Sequence, residues 1–247
     1  MRIVQLTDLH LTAEPGQGFH GLNCLQQFEA ALTNSLTLAP DLVLLTGDQA
    51  QEPSPTLYAA LMDCLEAHWS GPWLWTPGNH DCGADMMAAL RRRHRDVPEH
   101  SCYRSGRIAV HTLDTHIDDQ PEGRVAAEER QRILEVLRAE QADIVLIAGH
   151  HPLFTVGTAW LDKHVPEQGA ELAAALAAFP SVRAYLCGHV HQASDLQRHG
   201  LRQLSAPATS VQFEAGSPQF SLGAARPAYR WLDVRDDGSV QTACVQL

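Results

Sequence analysis

The sequence carries little positive charge. Its 247 residues include 18 Lys and Arg against 29 Asp and Glu, which gives a formal net charge of -11 at pH 7. Proteins that bind long nucleic acids need clustered basic side chains that displace counterions from the phosphates, so we expect no long nucleic acid among the partners. The basic run at residues 91–95 follows a helical stretch and is interpreted as a solvated helix end.

The sequence also lacks thiolate motifs and long apolar runs. The six cysteines show no CxxC spacing, so we predict that they are reduced and mostly buried. No apolar run approaches the roughly 18 residues of a membrane-spanning helix, and residues 2–6 are typical of a strand rather than of a signal peptide. We therefore expect a cytoplasmic protein with no membrane contact. The oligomeric state stays unknown.

Apolar periodicity predicts alternating helices and strands. Helices are predicted over residues 25–36, 56–69, 126–139 and 170–179. Strands are predicted over residues 2–6, 42–45, 73–75, 102–104, 108–113, 144–147, 182–187, 201–204, 229–234 and 240–245. A chain of this length commonly forms one domain, here residues 1–247. The mixture of elements favours an α/β fold, a four-layer αββα sandwich of two mixed sheets flanked by helices.

Three stretches that contain glycine and proline are interpreted as loops, over residues 13–21, 154–169 and 214–227. Some of these loops are expected to lie over the functional site. Three tryptophans are instead assigned to the core or to sheet edges: Trp69, Trp73 and Trp75.

Five short apolar runs end in acidic, amide or imidazole side chains. These ends are Thr7-Asp8-Leu9-His10, Gly47-Asp48, Gly78-Asn79-His80-Asp81, Gly149-His150-His151 and Gly188-His189-Val190-His191. A strand that stops at such a loop places its last side chains at the carboxyl edge of a sheet, where open α/β folds collect their ligands. The five ends therefore predict one shared site.

The side chains at these ends suit metal ions. Asp and His donors favour Zn, Mn, Fe or Co over Ca or an all-thiolate site. Asp8 and His10 are two residues apart on a segment expected to be extended, so they point the same way and can chelate one ion, and His189 and His191 repeat this spacing. The donors outnumber the four ligands of a structural zinc, which favours two ions, with Asp48 as a bridge. Two neighbouring ions clamp the attacking and leaving oxygens of a phosphoryl group.

The order of these motifs resembles that of the calcineurin-like metallophosphoesterases over nearly the whole chain. Further segments are similar to the bacterial class III 3′,5′-cyclic-AMP phosphodiesterases, at residues 7–11, 21–23, 150–153, 160–164 and 211–213. The resemblance implies two ion sites. One ion is held by Asp8, His10, Asp48 and His191, and the other by Asp48, Asn79, His150 and His189.

The same resemblance implies roles around the phosphate. His80 faces the substrate, where it stabilises the phosphate or protonates the leaving oxygen, and Asp81 orients His80. Asn79 joins these two as a catalytic residue, and substrate contacts are implied for His10, Asn79, His80 and His191. The implied reaction is in-line attack of a metal-bridging hydroxide on 3′,5′-cyclic AMP, which gives 5′-AMP.

Several alternatives stay open. A broad phosphodiesterase acting on glycerophosphodiesters or 2′,3′-cyclic nucleotides is the second reading, because such a metal core attacks any accessible phosphorus. A non-catalytic nucleotide-binding protein and a nuclease are disfavoured by the intact motifs and by the acidic balance. The metals stay open among Fe, Mn, Zn and Co. His151 stays open between a structural role and an accessory contact in the site. Three residues stay open between a structural role and a nucleotide contact: Trp160, Asp162 and His164.

Overall fold

The computed structural model describes residues 1–13, 18–93, 102–118 and 120–247, so parts of the predicted loop 13–21 and of the basic run 91–95 lie outside the described residues. The described helices are α1 Cys24–Leu36, α2 Pro55–His68, α3 Gly83–Arg93, α4 Ala127–Ala139 and α5 Gly169–Ala177. None of these helices is long and apolar enough to cross a membrane. The described strands are β1 Arg2–Leu6, β2 Leu42–Thr46, β3 Trp73–Thr76, β4 Cys102–Ser105, β5 Ile108–Thr112, β6 Ile144–Ala148, β7 Val182–Cys187, β8 Ser194–Arg198, β9 Leu201–Ser205, β10 Ala228–Val234 and β11 Val240–Gln246.

The strands form two mixed sheets. The first has the order β11-β10-β1-β2-β3, and the second has the order β4-β5-β6-β7-β9-β8. In the first sheet β1, β2 and β3 run parallel, and β10 and β11 are added antiparallel. In the second sheet β5, β6, β7 and β9 run parallel between two antiparallel edge strands. The parallel strands of each sheet therefore end at one common edge.

Both faces of each sheet are covered. Leu42 and Leu44 of β2 lie in the core between the sheets, whereas Val43 and Leu45 belong to an outer core with α1 and α2. Side chains of a strand alternate between the two faces, so a strand buried on both sides has an unbroken apolar sequence. A third cluster packs the buried faces of α4 and α5 on the second sheet. The predicted αββα sandwich is confirmed.

Two elements depart from the prediction. β8 is an exposed edge strand with one large apolar residue, Leu196, so its sequence lacks the alternation of a half-buried strand. The sequence feature that indicates a hairpin here is Gly200. His199 and Gly200 form the turn from β8 to β9, with φ of 52° and 79°. Leu161–His164 forms a short 3₁₀ helix inside a predicted loop. The three assigned tryptophans pack against the outer core of the first sheet, as predicted.

Side chains connect the two sheets at their carboxyl edges. Gln5 Nε2 on β1 donates to Cys187 O at the end of β7 at 2.9 Å. Thr76 Oγ1 on β3 donates to Leu113 O, just after β5, at 3.0 Å. A buried amide or hydroxyl needs a partner, so these hydrogen bonds fix how closely the carboxyl ends of the two sheets approach each other.

Candidate metal centre

Five loops at the carboxyl edges carry the predicted site residues. They follow β1, β2, β3, β6 and β7, and backbone hydrogen bonds link them, such as Asp8 N to Gly47 O and Gly188 N to His150 O, both at 3.0 Å. The structure brings the predicted residues together in these loops: Asp8, His10, Asp48, Asn79, His80, Asp81, His150, His189 and His191.

Several of these residues have a left-handed backbone. The φ angles are 53° for Asp8, 49° for His10, 52° for Asp48, 67° for His189 and 48° for His191. Such angles are uncommon outside glycine and cluster at functional sites. The prediction that Asp8 and His10 share a face because their segment is extended is wrong. The left-handed turns bring both donors into the site, while Leu9 between them is buried in the outer core.

The glycines of the motifs leave space for donors from neighbouring loops. A Cβ on Gly78 would lie 2.2 Å from Asp48 Oδ1, and a Cβ on Gly188 would lie 2.7 Å from Asp8 Oδ2. Real Cβ atoms do not approach other atoms so closely. Glycine is therefore needed at these two positions because any larger side chain would collide with a donor carboxylate of a neighbouring loop.

One group of donors joins the loops after β1 and β7. The ligand atoms of Asp8, His10 and His191 lie within 4.8 Å of one another. His10 Nε2 lies 3.1 Å from His191 Nε2, and His191 Nε2 lies 3.4 Å from Asp8 Oδ1. This group has the size and the donor types of a divalent metal site.

A second group joins the loops after β3, β6 and β7. Asn79 Oδ1 lies 2.9 Å from His189 Nδ1 and 3.2 Å from His150 Nε2. Asp48 Oδ2 lies 3.5 Å from His150 Nε2 and 3.7 Å from His10 Nε2, so its carboxylate lies between the two groups. This is the position that a bridging carboxylate needs.

The hydrogen bonds of the rings show why a cation suits the site. His191 Nδ1 donates to Val211 O at 2.6 Å, and His10 Nδ1 lies 2.8 Å from Gln51 Oε1. A carbonyl oxygen only accepts, so in the neutral rings the proton is on Nδ1 and Nε2 carries a lone pair. The two Nε2 atoms face each other at 3.1 Å. Two lone pairs at this distance repel unless a cation lies between them.

The electrostatics of the buried groups support the same conclusion. Burial lowers the pKa of His10 to about 3, so this ring is neutral. Burial acts to raise the pKa of Asp48, but His150 and His10 outweigh it and hold that pKa well below its usual value. Burial also acts to lower the pKa of His150, but Asp48 and Asp8 raise it to about 9. The Asp48 carboxylate is ionised, and it needs the positive charge that a proton or metal ion supplies.

His80 lies beside the donor groups at the edge of a cavity. Its backbone N–H donates to Asp48 Oδ1 at 2.8 Å, and its ring Nδ1 donates to Gln51 O at 3.2 Å. The ring is half-buried and lines a cavity of about 650 Å³ together with Asn79 and Asp118. Its Nε2 is therefore the ring atom that is left to meet a substrate.

Asp81 is bonded to the loops on both sides of His80. Its carboxylate accepts the backbone N–H groups of Gly78, Gln49 and Ala50 at 2.9 to 3.1 Å and the hydroxyl of Tyr58 at 2.9 Å. The His80 ring itself donates to the backbone carbonyl of Gln51. That Asp81 orients His80 stays a prediction, and the contacts seen here fix the path of the two loops that surround the ring.

Aromatic rings cover one side of the site. Phe19 stacks on His10 with ring centroids 4.3 Å apart, and Phe213 stacks on His191 at 3.9 Å. Trp160 and Phe220 pack edge-on against Phe213, and the Phe220 side chain is 52% exposed. No motif or spacing in the sequence predicts that Phe19 and Phe220 lie at the site. Phe213 belongs to residues 211–213, which only the family resemblance singles out.

The four residues left open by the sequence occupy different positions. His151 is buried beside the His189 ring, with centroids 4.6 Å apart, and its Nδ1 lies 2.9 Å from Thr115 Oγ1. Asp162 accepts the backbone N–H of Val156 at 2.8 Å, so its contact is structural. His164 Nδ1 lies 3.1 Å from His189 Nε2. Trp160 packs edge-on against His164, with centroids 6.1 Å apart.

Comparison with known proteins gives concordant matches. The sequence model of a family described as calcineurin-like phosphoesterase matches residues 1–193. A 3′,5′-cyclic adenosine monophosphate phosphodiesterase, CpdA, of Escherichia coli strain K12 is 33% identical and aligns with 98% of this chain and 88% of its own length. A 3′,5′-cyclic-nucleotide phosphodiesterase, alr5338, of Nostoc sp. strain PCC 7120 is 31% identical, with 97% and 90% covered. A solved dimetal phosphatase from Danio rerio has a TM-score of 0.67 at 12% identity and covers 94% of both chains, which shows the shared fold.

Replacing Gly78 with Ala is expected to disrupt the candidate centre. The new Cβ would lie 2.2 Å from Asp48 Oδ1 and would displace that carboxylate. We expect the affinity for Mn²⁺ to fall by at least about tenfold, measured by elemental analysis after equilibrium dialysis. Gly83→Ala is the matched control, because a Cβ there meets open space. Equal ion content in the two variants and the parent protein would contradict this reading of Gly78.

Proposed function

This chain belongs to the calcineurin-like phosphoesterase family, and from that premise we propose that it is a metal-dependent phosphodiesterase that hydrolyses 3′,5′-cyclic AMP to 5′-AMP. The observation that carries the proposal is the pair of donor groups that share Asp48 beside His80. The relatives described above, which are cyclic-nucleotide phosphodiesterases, support this choice of substrate. The proposal treats residues 1–247 as one domain, and the cytoplasmic location stays a prediction.

We assign two ions to the donor groups. One is held by Asp8, His10, Asp48 and His191, and the other by Asp48, Asn79, His150 and His189. The facing Nε2 atoms of His10 and His191 support the first assignment, and the ionised Asp48 carboxylate, which lies beside both groups, supports both. Bound divalent ions of this kind polarise a phosphoryl oxygen and lower the pKa of water toward neutrality. The donor types suit Fe, Mn, Zn and Co alike.

The protein's own side chains supply binding and proton transfer. We assign the substrate contacts to His10, Asn79, His80 and His191, which surround the shared carboxylate. His80 Nδ1–H is engaged with Gln51 O, so protonation at Nε2 makes His80 a donor toward the leaving 3′ oxygen. We assign to Asp81 an indirect effect on the His80 ring, because its carboxylate fixes the loops on both sides of that ring.

The aromatic side of the site suits a nucleotide base. Phe213 stacks on the His191 ring, and the exposed Phe220 packs edge-on against Phe213. A base is a flat ring that gains free energy by stacking on such side chains, whereas a glycerol group has no flat face to stack. We therefore propose that the base lies on this side.

Hydrolysis of 3′,5′-cyclic AMP is expected to require added metal and the assigned ligands. Protein stripped with a chelator and reloaded with Mn²⁺ or Fe²⁺ should recover turnover to 5′-AMP in a steady-state assay. Asn79→Ala and His191→Ala should lower kcat/KM by more than about 100-fold, the upper end for changing only a neighbour of a ligand. Equal rates on 3′,5′-cyclic AMP, 2′,3′-cyclic AMP and glycerophosphocholine would support the broad alternative. Cleavage of an aryl phosphodiester without cleavage of cyclic AMP would support a metal-dependent phosphodiesterase and would reject cyclic AMP as its substrate.

His80→Ala should separate catalysis from metal binding. Loss of the proton donor is expected to lower kcat by about 10²- to 10⁴-fold, while the number of bound ions stays that of the parent protein. His68→Ala is the control, since this exposed histidine pairs with Glu29 on α1. An unchanged kcat in the His80 variant would reject the assigned role.

Phe220→Ala should weaken use of the nucleotide alone. Stacking of one base on an aromatic ring is worth about 1–3 kcal/mol, so kcat/KM for 3′,5′-cyclic AMP should fall by about tenfold, with the rate on an aliphatic phosphodiester unchanged. Leu222→Ala, two positions along and 43% exposed, is the matched control. Equal loss on both substrates would show a general effect on the loop and would reject the assignment of the base to this side.

A further inference from the structure

One histidine of the centre is oriented by a different kind of partner. The ring atoms turned away from the donor groups bond to oxygen in three cases: His10 to Gln51 Oε1, His150 to Thr46 O and His191 to Val211 O, at 2.6 to 2.8 Å. His189 is reversed. It turns Nδ1 toward Asn79 Oδ1 at 2.9 Å, and its Nε2 lies 3.1 Å from Nδ1 of His164, another imidazole.

The location of one proton decides what His189 can do. A neutral imidazole carries its proton on one ring nitrogen, and the other offers a lone pair. If the proton is on Nδ1, His189 donates to Asn79 Oδ1 and offers no lone pair on that side. If the proton is on Nε2, Nδ1 is free to bind a cation together with Asn79. The second state needs an acceptor at Nε2, and His164 Nδ1 is the atom at hydrogen-bond distance.

The His164 ring is held in place by its own segment. It ends the 3₁₀ helix Leu161–His164, in which Leu161 is buried. His164 O accepts the backbone N–H of Gly123 at 2.9 Å. Asp162 accepts the backbone N–H groups of Val156 and Gly157 at 2.8 and 3.1 Å, which closes the loop before the helix. The ring is therefore aimed at His189 by contacts that do not involve the donor groups.

We propose that His164 is a positioning residue for the ion shared by Asn79 and His189. Its Nδ1 accepts a hydrogen bond from the Nε2–H of His189, which keeps His189 in the tautomer whose Nδ1 lone pair faces Asn79 Oδ1. This inference rests on the proposed function in one respect, the assignment of Asn79 and His189 as ligands. The partner of a ligating histidine commonly fixes its tautomer and changes metal affinity by about 10- to 100-fold.

Three substitutions separate hydrogen bonding from packing. His164→Asn places an acceptor oxygen near the position of Nδ1, His164→Phe keeps a ring against Trp160 without an acceptor, and His164→Ala removes both. Metal-free protein is titrated with Co²⁺, and binding is measured by visible absorption and calorimetry. We expect the ion assigned to Asn79 and His189 to bind about 10- to 100-fold more weakly in the Phe and Ala variants than in the parent protein. The Asn variant should retain near-parental affinity, and the other ion should bind equally in all variants.

The outcomes are distinguishable from failure of the proposed function. Asn79→Ala, measured in the same titration, should lose the same ion as His164→Phe. If Asn79→Ala retains two ions, the ligand assignment itself is wrong. If Asn79→Ala loses one ion but His164→Phe binds both as tightly as the parent protein, only the inference about His164 is overturned. Retention by Phe together with loss by Asn would show that packing against Trp160, rather than hydrogen bonding, matters.

Discussion

Asp48 is the residue on which the arrangement of the centre depends. Its carboxylate lies near His10 and His150 and accepts the backbone N–H of His80, so it fixes the loops after β1, β3 and β6 at once. A buried carboxylate is costly unless donors or cations surround it. The surrounding groups are therefore held close to Asp48 by its charge. Gly78 leaves the space that this carboxylate occupies.

Much of the fold and of the donor set was predictable, because both leave periodic or local signals. Strands buried on two faces have unbroken apolar sequences, and donors that follow them must meet at the carboxyl edge. Other features leave no such signal. The sign of φ at Asp8 or His10 depends on tertiary contacts, and an exposed edge strand such as β8 looks like a loop. The partners of Asp81 come from three separate segments, and spacing along the chain does not report them.

The candidate donors and the aromatic rim lie on different parts of the chain. The donors lie on loops that backbone hydrogen bonds join to one another, whereas each of the three long loops predicted from the sequence contributes an aromatic side chain at the rim. Phe19, Trp160 and Phe220 belong to these loops and lie around Phe213 and the candidate donor rings of His10 and His191. Long loops change more readily than strand ends. Relatives with the same metal chemistry can therefore differ in the phosphodiester that they accept.

The order of strands in the first sheet has a consequence for how the centre is assembled. β1 lies between β2 and β10, with Arg2 paired to Asp233. The strand that precedes Asp8 and His10 thus has one neighbour, β10, that lies far from it along the sequence. Contacts between residues so distant in sequence form slowly, because a long loop must close first. The loop with Asp8 and His10 is therefore supported on both sides of its strand only after this distant contact has formed.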